Sequence, residues 1–202
     1  MLDPRLLKVM NKSLGAKPKL ILGSGSPRRL ELLQSHFQLE VRVPNVDESV
    51  KKKEPAIKYV ARVAREKFLS LQPALKSGEF LLTADTSVHL ESRIFGKPKD
   101  QKDAERMLRF LSGSLHLVTT AVCLGSSSSL KSFRTTTKVW FRTLTKAEIQ
   151  NYLYSREWEG KAGAYGIQGS ASFFVKKIEG SLTNVVGLPL EDVLARLSSY
   201  SA

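Results

Sequence analysis

Along this chain the spacing of apolar positions switches repeatedly between a period of two and a period near three and a half, which predicts interleaved strands and helices. Lys19 to Ser24 read as a first strand and Pro27 to Phe37 as a first helix, with Leu30, Leu32, Leu33 and Phe37 on its apolar side. Gln38 to Val43 alternate as a short strand that runs into the polar turn Pro44 to Glu48. Ile57, Val60, Ala61, Ala64, Phe68 and Leu71 recur at helical spacing and predict a helix over about 55–71. Glu79 to Ala84 read as a buried strand ending at Asp85, and Val88 to Ser92 as a further strand before the Gly96-Lys97-Pro98 turn. A third helix is expected over 100–111, closed by Ser112-Gly113.

The second half is richer in hairpins. Strands over 114–124 and 130–143 flank Gly125 and four serines, a flexible tip to which no function is given. Thr145 with Glu148 forms a capping box for a helix over 146–155. A glycine-rich stretch over 160–169, a strand over 171–178 and a helix over 190–200 complete the pattern. Hairpins among alternating strands and helices argue against a purely parallel sheet, so the expectation is a mixed-sheet α/β domain over 18–202. It follows a short basic extension over 1–17 that lacks the apolar core of a secretory signal.

Composition narrows the classes. The 202 residues fit one domain, and 42% apolar with 25% charged residues is ordinary for a globular chain. No apolar run approaches the ~20 residues of a membrane helix. A lone Cys123 rules out an internal disulfide and speaks for a reducing, intracellular compartment. The net charge of +13 suits a polyanionic ligand, either nucleic acid or a small phosphorylated molecule. No helix-turn-helix, zinc-finger or aromatic ribonucleoprotein pattern supports nucleic acid. Lys51-Lys52-Lys53 reads as a solvated face.

The densest chemistry lies in Leu20-Ile21-Leu22-Gly23-Ser24-Gly25-Ser26-Pro27-Arg28-Arg29. A strand enters a turn of small hydroxyl and glycine residues, and Pro27 opens a helix where its missing N–H is no loss. Free backbone N–H groups, serine hydroxyls and guanidinium forks would converge there, which is an anion site. Ser-Pro-Arg-Arg also fits a kinase target or a basic tail, but those sit in disordered surroundings, not between a strand and a leucine-rich helix.

Asp85, at an expected strand end, can bind a divalent cation or serve as a general base, or simply cap a turn. Glu48, after Asp47, offers a second carboxylate, and two carboxylates commonly share a Mg²⁺ with nucleotide phosphates. Lys97 on its rigid turn can reach a phosphate as a point charge. Arg62 and Lys67, five apart, need not share a helix face, and Lys67 alone can point to a cleft. His116, in an apolar strand, reads as a buried structural histidine. In Lys161-Ala162-Gly163-Ala164-Tyr165-Gly166-Ile167-Gln168-Gly169-Ser170 the small residues allow close approach to a ligand, and the Gln168 carboxamide can pair with a base edge or a phosphate.

Together these segments resemble the Maf family of septum-formation proteins and nucleoside triphosphate pyrophosphatases. The matching pieces are Ser24 to Arg29, Val46-Asp47-Glu48, Ala84-Asp85-Thr86, Gly96-Lys97-Pro98, Leu111-Ser112-Gly113, Lys161 to Gly169, and Asn184 to Leu190. Seven motifs in register cover nearly the whole chain. The resemblance implies an inosine-triphosphatase-like α/β fold, with an elongated mixed sheet and a deep cleft. It also implies hydrolysis of a nucleoside triphosphate between its α and β phosphates, with Mg²⁺ or Mn²⁺ as cofactor. Asp85 would be the general base and a metal ligand, with Glu48 also on the metal. Ser24, Arg28, Arg29, Lys67 and Lys97 would hold the phosphates.

Arg28, Thr86 and Gln168 match the branch of the family that resembles dTTP and UTP pyrophosphatases rather than the one preferring methylated GTP. A cytoplasmic homodimer is implied, with the nucleoside triphosphate as partner and no membrane. Two departures stand out: Gly160 where the family usually has an acidic residue, and Leu182 where an aromatic is common. A non-catalytic nucleic-acid-binding regulator and a nucleotide sensor are the competing readings, and only turnover separates them from an enzyme.

Overall fold

In the computed structural model, residues 17–198 are described. The basic extension expected over 1–17 lies outside them but for Lys17. In chain order the elements are β1 (Lys19–Gly23), α1 (Pro27–Gln34), β2 (Gln38–Val41), α2 (Ala56–Leu71), β3 (Leu81–Leu90), β4 (Arg93–Phe95) and α3 (Gln101–Leu111). There follow β5 (Leu115–Gly125), β6 (Leu130–Phe141), α4 (Lys146–Tyr154), β7 (Val175–Glu179), α5 (Leu182–Val186) and α6 (Leu190–Ser198).

The seven strands form one sheet in the order β2-β1-β3-β5-β6-β7, with β4 beside the far end of β3. β2, β1 and β3 run parallel, whereas β3, β5, β6 and β7 are joined antiparallel. The expected mixed α/β sheet is therefore present, and β3 is its pivot. β3 pairs with β1 only over Leu81 to Thr83, then continues beside β5 as far as His89.

That continuity corrects one expectation. Asp85 lies inside a single ten-residue strand, not at a strand end before a separate strand at Val88. Asp85, Thr86 and Ser87 interrupt the apolar pattern but not the ladder, where they face Ala121, Thr120 and Thr119. The site nevertheless falls just beyond the carboxyl end of β1, where the parallel part of the sheet stops.

Smaller differences have local causes. α1 ends at Gln34, short of Phe37, because the N–H groups of His36 and Phe37 both fold back onto the Leu33 carbonyl. β2 stops at Val41 rather than Val43, and its side chains are mostly exposed, as befits an edge strand. The strand expected from Ala171 starts at Val175, after a 3₁₀ turn over Ser170–Phe174. α5 was not anticipated at all; its Ser181 cap accepts from Asn184 N–H. Ile57, placed on the apolar stripe of α2, is 45% exposed. The capping box at Thr145 and Glu148 forms as expected.

One apolar cluster gathers Leu108, Val118, Phe141, Tyr152, Tyr165 and Phe174 around His116. His116 is fully buried, its Nε2 lies 2.9 Å from Tyr165 Oη, and desolvation lowers its pKa to about 3. It is structural, as expected.

A neutral buried histidine makes stability acid-sensitive. The unfolded chain binds the proton near the ordinary value of 6.5, while the folded chain refuses it down to about 3. This contribution is present above 6.5 and is lost, by about 1.4 kcal/mol per pH unit, as pH falls through that window. Urea unfolding of wild type and His116→Phe at pH 7, 5.5 and 4 should show the shallower loss in the variant. Parallel pH profiles would contradict this assignment.

Candidate active site

A cleft of about 1330 Å³ opens beside the start of α1 and the middle of β3. Ser24, Arg28, Arg29, Glu48, Lys67, Asp85, Thr86, Lys97 and Gln168 all line it, so the fold brings together the residues to which the resemblance gives a site role, while Arg62, Asp47 and His116 are not in its lining. Their positions within it differ.

Arg29 is built into the wall. From the first turn of α1 its Nε donates to Gly187 O at 2.9 Å, Nη1 to Ser24 Oγ at 3.0 Å and to Ala84 O at 2.9 Å, and Nη2 to Thr86 Oγ1 at 3.0 Å. Four of its five N–H bonds are thus spent on the protein, leaving one for a ligand. It ties the end of β1, the carbonyl before Asp85, the hydroxyl after it and the end of α5. Ser24, also buried, accepts from Ser26 N–H at 3.2 Å and so sets the turn ahead of Pro27.

Lys67 is placed by helical spacing. The buried face of α2 consists of Val60, Val63, Ala64, Lys67 and Phe68, and Lys67 is the one charged residue on it. Thr83 Oγ1 donates to Ala64 O at 2.8 Å and locks that face onto β3. The ammonium then lies 2.9 Å from Asp85 Oδ1 and 2.9 Å from Glu48 Oε1. Glu48 comes from the loop before α2, which is pinned where Tyr59 Oη donates to Glu48 O and Arg62 Nη2 to Ser49 O. Asp47 turns away to accept from Ser49, and Arg62 pairs with Glu54 and Glu66 outside the cleft.

Asp85 is buried, and its Oδ2 has no hydrogen-bond partner. Desolvation pushes its carboxyl above the usual aspartate range, against the pull of Lys67 and Arg29. A buried oxygen left without a partner costs stability, and such groups concentrate at functional sites. Thr86 is half-buried, within 2.9 Å of Thr120 Oγ1.

The rim is wetter. Lys97 and Gln168 are exposed, and Arg28 is partly buried with its Nε unpartnered. The glycine-rich loop forms the opposite wall. Gly163 takes φ 71° with Val88 methyls 3.0 Å from where a Cβ would stand, so only glycine fits there. Sequence reasoning missed Ser87 as a lining residue, and it placed Lys161 in the ligand-approaching loop without giving it a role of its own. A lysine opening a loop and a serine inside a strand carry no signal until the fold shows where they face.

Asp85 Oδ2 is an orphaned hard oxygen and Glu48 is a carboxylate with its side chain 43% exposed, which fits Mg²⁺ or Mn²⁺. Among the described residues no group of three or more His, Cys, Asp or Glu gathers. An ion there must therefore complete its shell with water or substrate oxygens, which is how Mg²⁺ binds nucleotides.

A mixed α/β sheet with a basic turn, a buried lysine and two carboxylates converging on one cleft defines a protein that handles phosphorylated ligands. More particularly, residues 19–200 match the family model for Maf-like proteins, and the chain belongs to that family. A dTTP/UTP pyrophosphatase of Anaeromyxobacter dehalogenans is 46% identical over 185 residues, covering 89% of this chain and 93% of the relative. One of Salmonella typhimurium is 45% identical over 184 residues, covering 91% and 93%. A solved nucleoside-triphosphatase (dITP/XTP pyrophosphatase) structure from Mycobacterium abscessus is 13% identical, with a TM-score of 0.43, over 91% of this chain and 96% of that one.

Proposed function

We propose that this protein hydrolyses dTTP and UTP between the α and β phosphates, releasing the nucleoside monophosphate and pyrophosphate. The observation that carries the reading is the buried Lys67 ammonium held between Asp85 and Glu48 beside an unpartnered Asp85 Oδ2. The curated relatives of that activity, matched over about nine-tenths of the chain, support the substrate class.

In this reading the Asp85 carboxylate takes a proton from water as its oxygen bonds to the α phosphorus and the bond to the β phosphate breaks. A carboxyl raised by burial is a better proton acceptor than an ordinary aspartate. Arg28, Lys67 and Lys97 offset charge on the phosphates, while Arg29 holds the backbone on both sides of Asp85. Glu48 and Asp85 would hold Mg²⁺ or Mn²⁺, which when bound neutralises phosphate charge. Thr86 and Gln168 belong to base selection. We further propose a cytoplasmic homodimer, on the family resemblance; among the described residues no helix is long and apolar enough to cross a membrane.

Pyrophosphate release should be measured across the common nucleoside triphosphates and 7-methyl-GTP, with Mg²⁺ or Mn²⁺ and after chelation. The expected result is turnover led by dTTP and UTP that chelation removes. Faster release from 7-methyl-GTP, or silence on every nucleotide from folded protein, sinks the assignment.

A further inference from the structure

One face of the sheet is only half covered. On its other face Val118, Val139 and Phe141 pack with Leu108 of α3 and Ile149 of α4. Here α2 lies against β3 and β5, and β6 beside it is open, with Arg134, Thr136 and Lys138 all exposed. The ladder sets Arg134 opposite Ala121, Thr136 opposite Thr119, Lys138 opposite Leu117 and Trp140 opposite Leu115. Alternate residues of a strand share a face, so these side chains of β6 form one row. β7 adds Lys177 beside Trp140 and Glu179 beside Lys138.

α2 makes the opposite bank. Lys58, Ala61 and Arg65 recur at the three- and four-residue steps of a single helix stripe. Ala61 packs with Ala121, Cys123 and, from β6, Leu130, and Arg65 lies within electrostatic reach of Cys123. The stripe therefore runs along the edge of α2 that looks towards β6, with Lys58 and Arg65 exposed on it. Between the banks is a trough whose floor carries the Thr119 and Thr136 hydroxyls, 2.9 Å apart.

Its charge is one-sided. Among the described residues Lys58, Arg65 and Arg134 have no carboxylate partner. Glu179 is shared by Lys138 at 2.8 Å and Lys177 at 3.3 Å, so five cations face one carboxylate. None of the five lines the cleft. At one end Trp140 is half-buried with Lys177 Nζ 4.8 Å from its ring centre, and Leu115 opposite it is 39% exposed.

These features choose among partners. A second copy docking by this face would set like charges against each other. A flat membrane would rest on α2 above the floor. Strands ~4.8 Å apart make a floor too narrow for a duplex. A thin polyanion whose bases stack on an aromatic side chain fits the charge, the shape and the tryptophan together. We propose that this trough binds single-stranded nucleic acid, with Lys58, Arg65 and Arg134 on the phosphates and Trp140 against a base. The inference is independent of the pyrophosphatase reading.

The test is fluorescence anisotropy of a labelled oligo(dC) of about 15 nucleotides, with and without pyrophosphate to fill the cleft. Wild type should bind in both, with a slope of log affinity against log salt of about −2, the value for three phosphates on a single strand. Arg65→Glu combined with Arg134→Glu should weaken binding about tenfold or more, whereas Lys102→Glu with Lys146→Glu, the same charge change on α3 and α4, should cost less than about threefold. The strand should quench tryptophan fluorescence in wild type and not in Trp140→Phe. Absence of binding, equal losses in the two double variants, or displacement by pyrophosphate each overturn the proposal. So do tighter binding of a duplex of the same length, quenching that persists in Trp140→Phe, and capture by phosphatidylserine vesicles in place of the strand.

Discussion

Asp85→Asn is expected to lower dTTP and UTP turnover by about 10²–10⁴-fold without lowering the melting temperature. The two halves of that expectation come from one observation. The carboxyl is buried, and its pKa is raised because the desolvated charge outweighs the attraction of Lys67 and Arg29. A carboxyl raised on folding is better ionised in the unfolded chain, so at neutral pH its charge works against the fold. Asparagine removes that charge while Lys67 keeps Glu48 at 2.9 Å. The same shift fixes the pH profile. Asp85 must be ionised to take a proton, so activity is present above its pKa and is lost as pH falls through it. In the metal-free protein the Asp85 carboxyl should therefore titrate above the ordinary aspartate value of 3.8, and a bound cation draws the acid limb of kcat/KM lower. Near-normal turnover in the variant would remove Asp85 from the proton transfer.

The sequence made some of this site legible and hid the rest for reasons of distance. Ser24 to Arg29 could be read because strand, turn and helix start are adjacent, so local propensity and phosphate chemistry agree. The Thr145 cap and the structural role of His116 were legible for the same reason: each depends on its own element. Lys67 left a fainter trace, seven residues after Val60 on the apolar stripe of α2.

β3 was misread because a polar run in a strand looks like a break. Two of its polar side chains are instead engaged by remote groups, with Lys67 on Asp85 Oδ1 and both Arg29 and Thr120 on Thr86. The structural burden on Arg29 was invisible, since its partners at Ala84, Thr86 and Gly187 lie 55, 57 and 158 residues away.

Arg29→Met is expected to destabilise the fold by on the order of 3 kcal/mol, because it strips donors from two buried carbonyls and two hydroxyls at once. For a domain of this size that corresponds to roughly a 10 °C fall in melting temperature. Arg29→Lys separates position from charge. It keeps a cation near Asp85 but cannot span the four acceptors, whose directions suit a planar fork. Its stability loss should be smaller than that of the methionine variant, and its kcat should fall while KM for dTTP changes little, since Arg29 offers a ligand only one N–H. Loss of the positive charge carries its own signature. Arg29 is among the groups that pull the Asp85 pKa down, so methionine should move the acid limb of kcat/KM to higher pH, whereas lysine should leave it nearly in place. A methionine variant that melts like wild type, or whose acid limb stays put, would show that the buried guanidinium neither braces the strand nor sets the field at the proposed base.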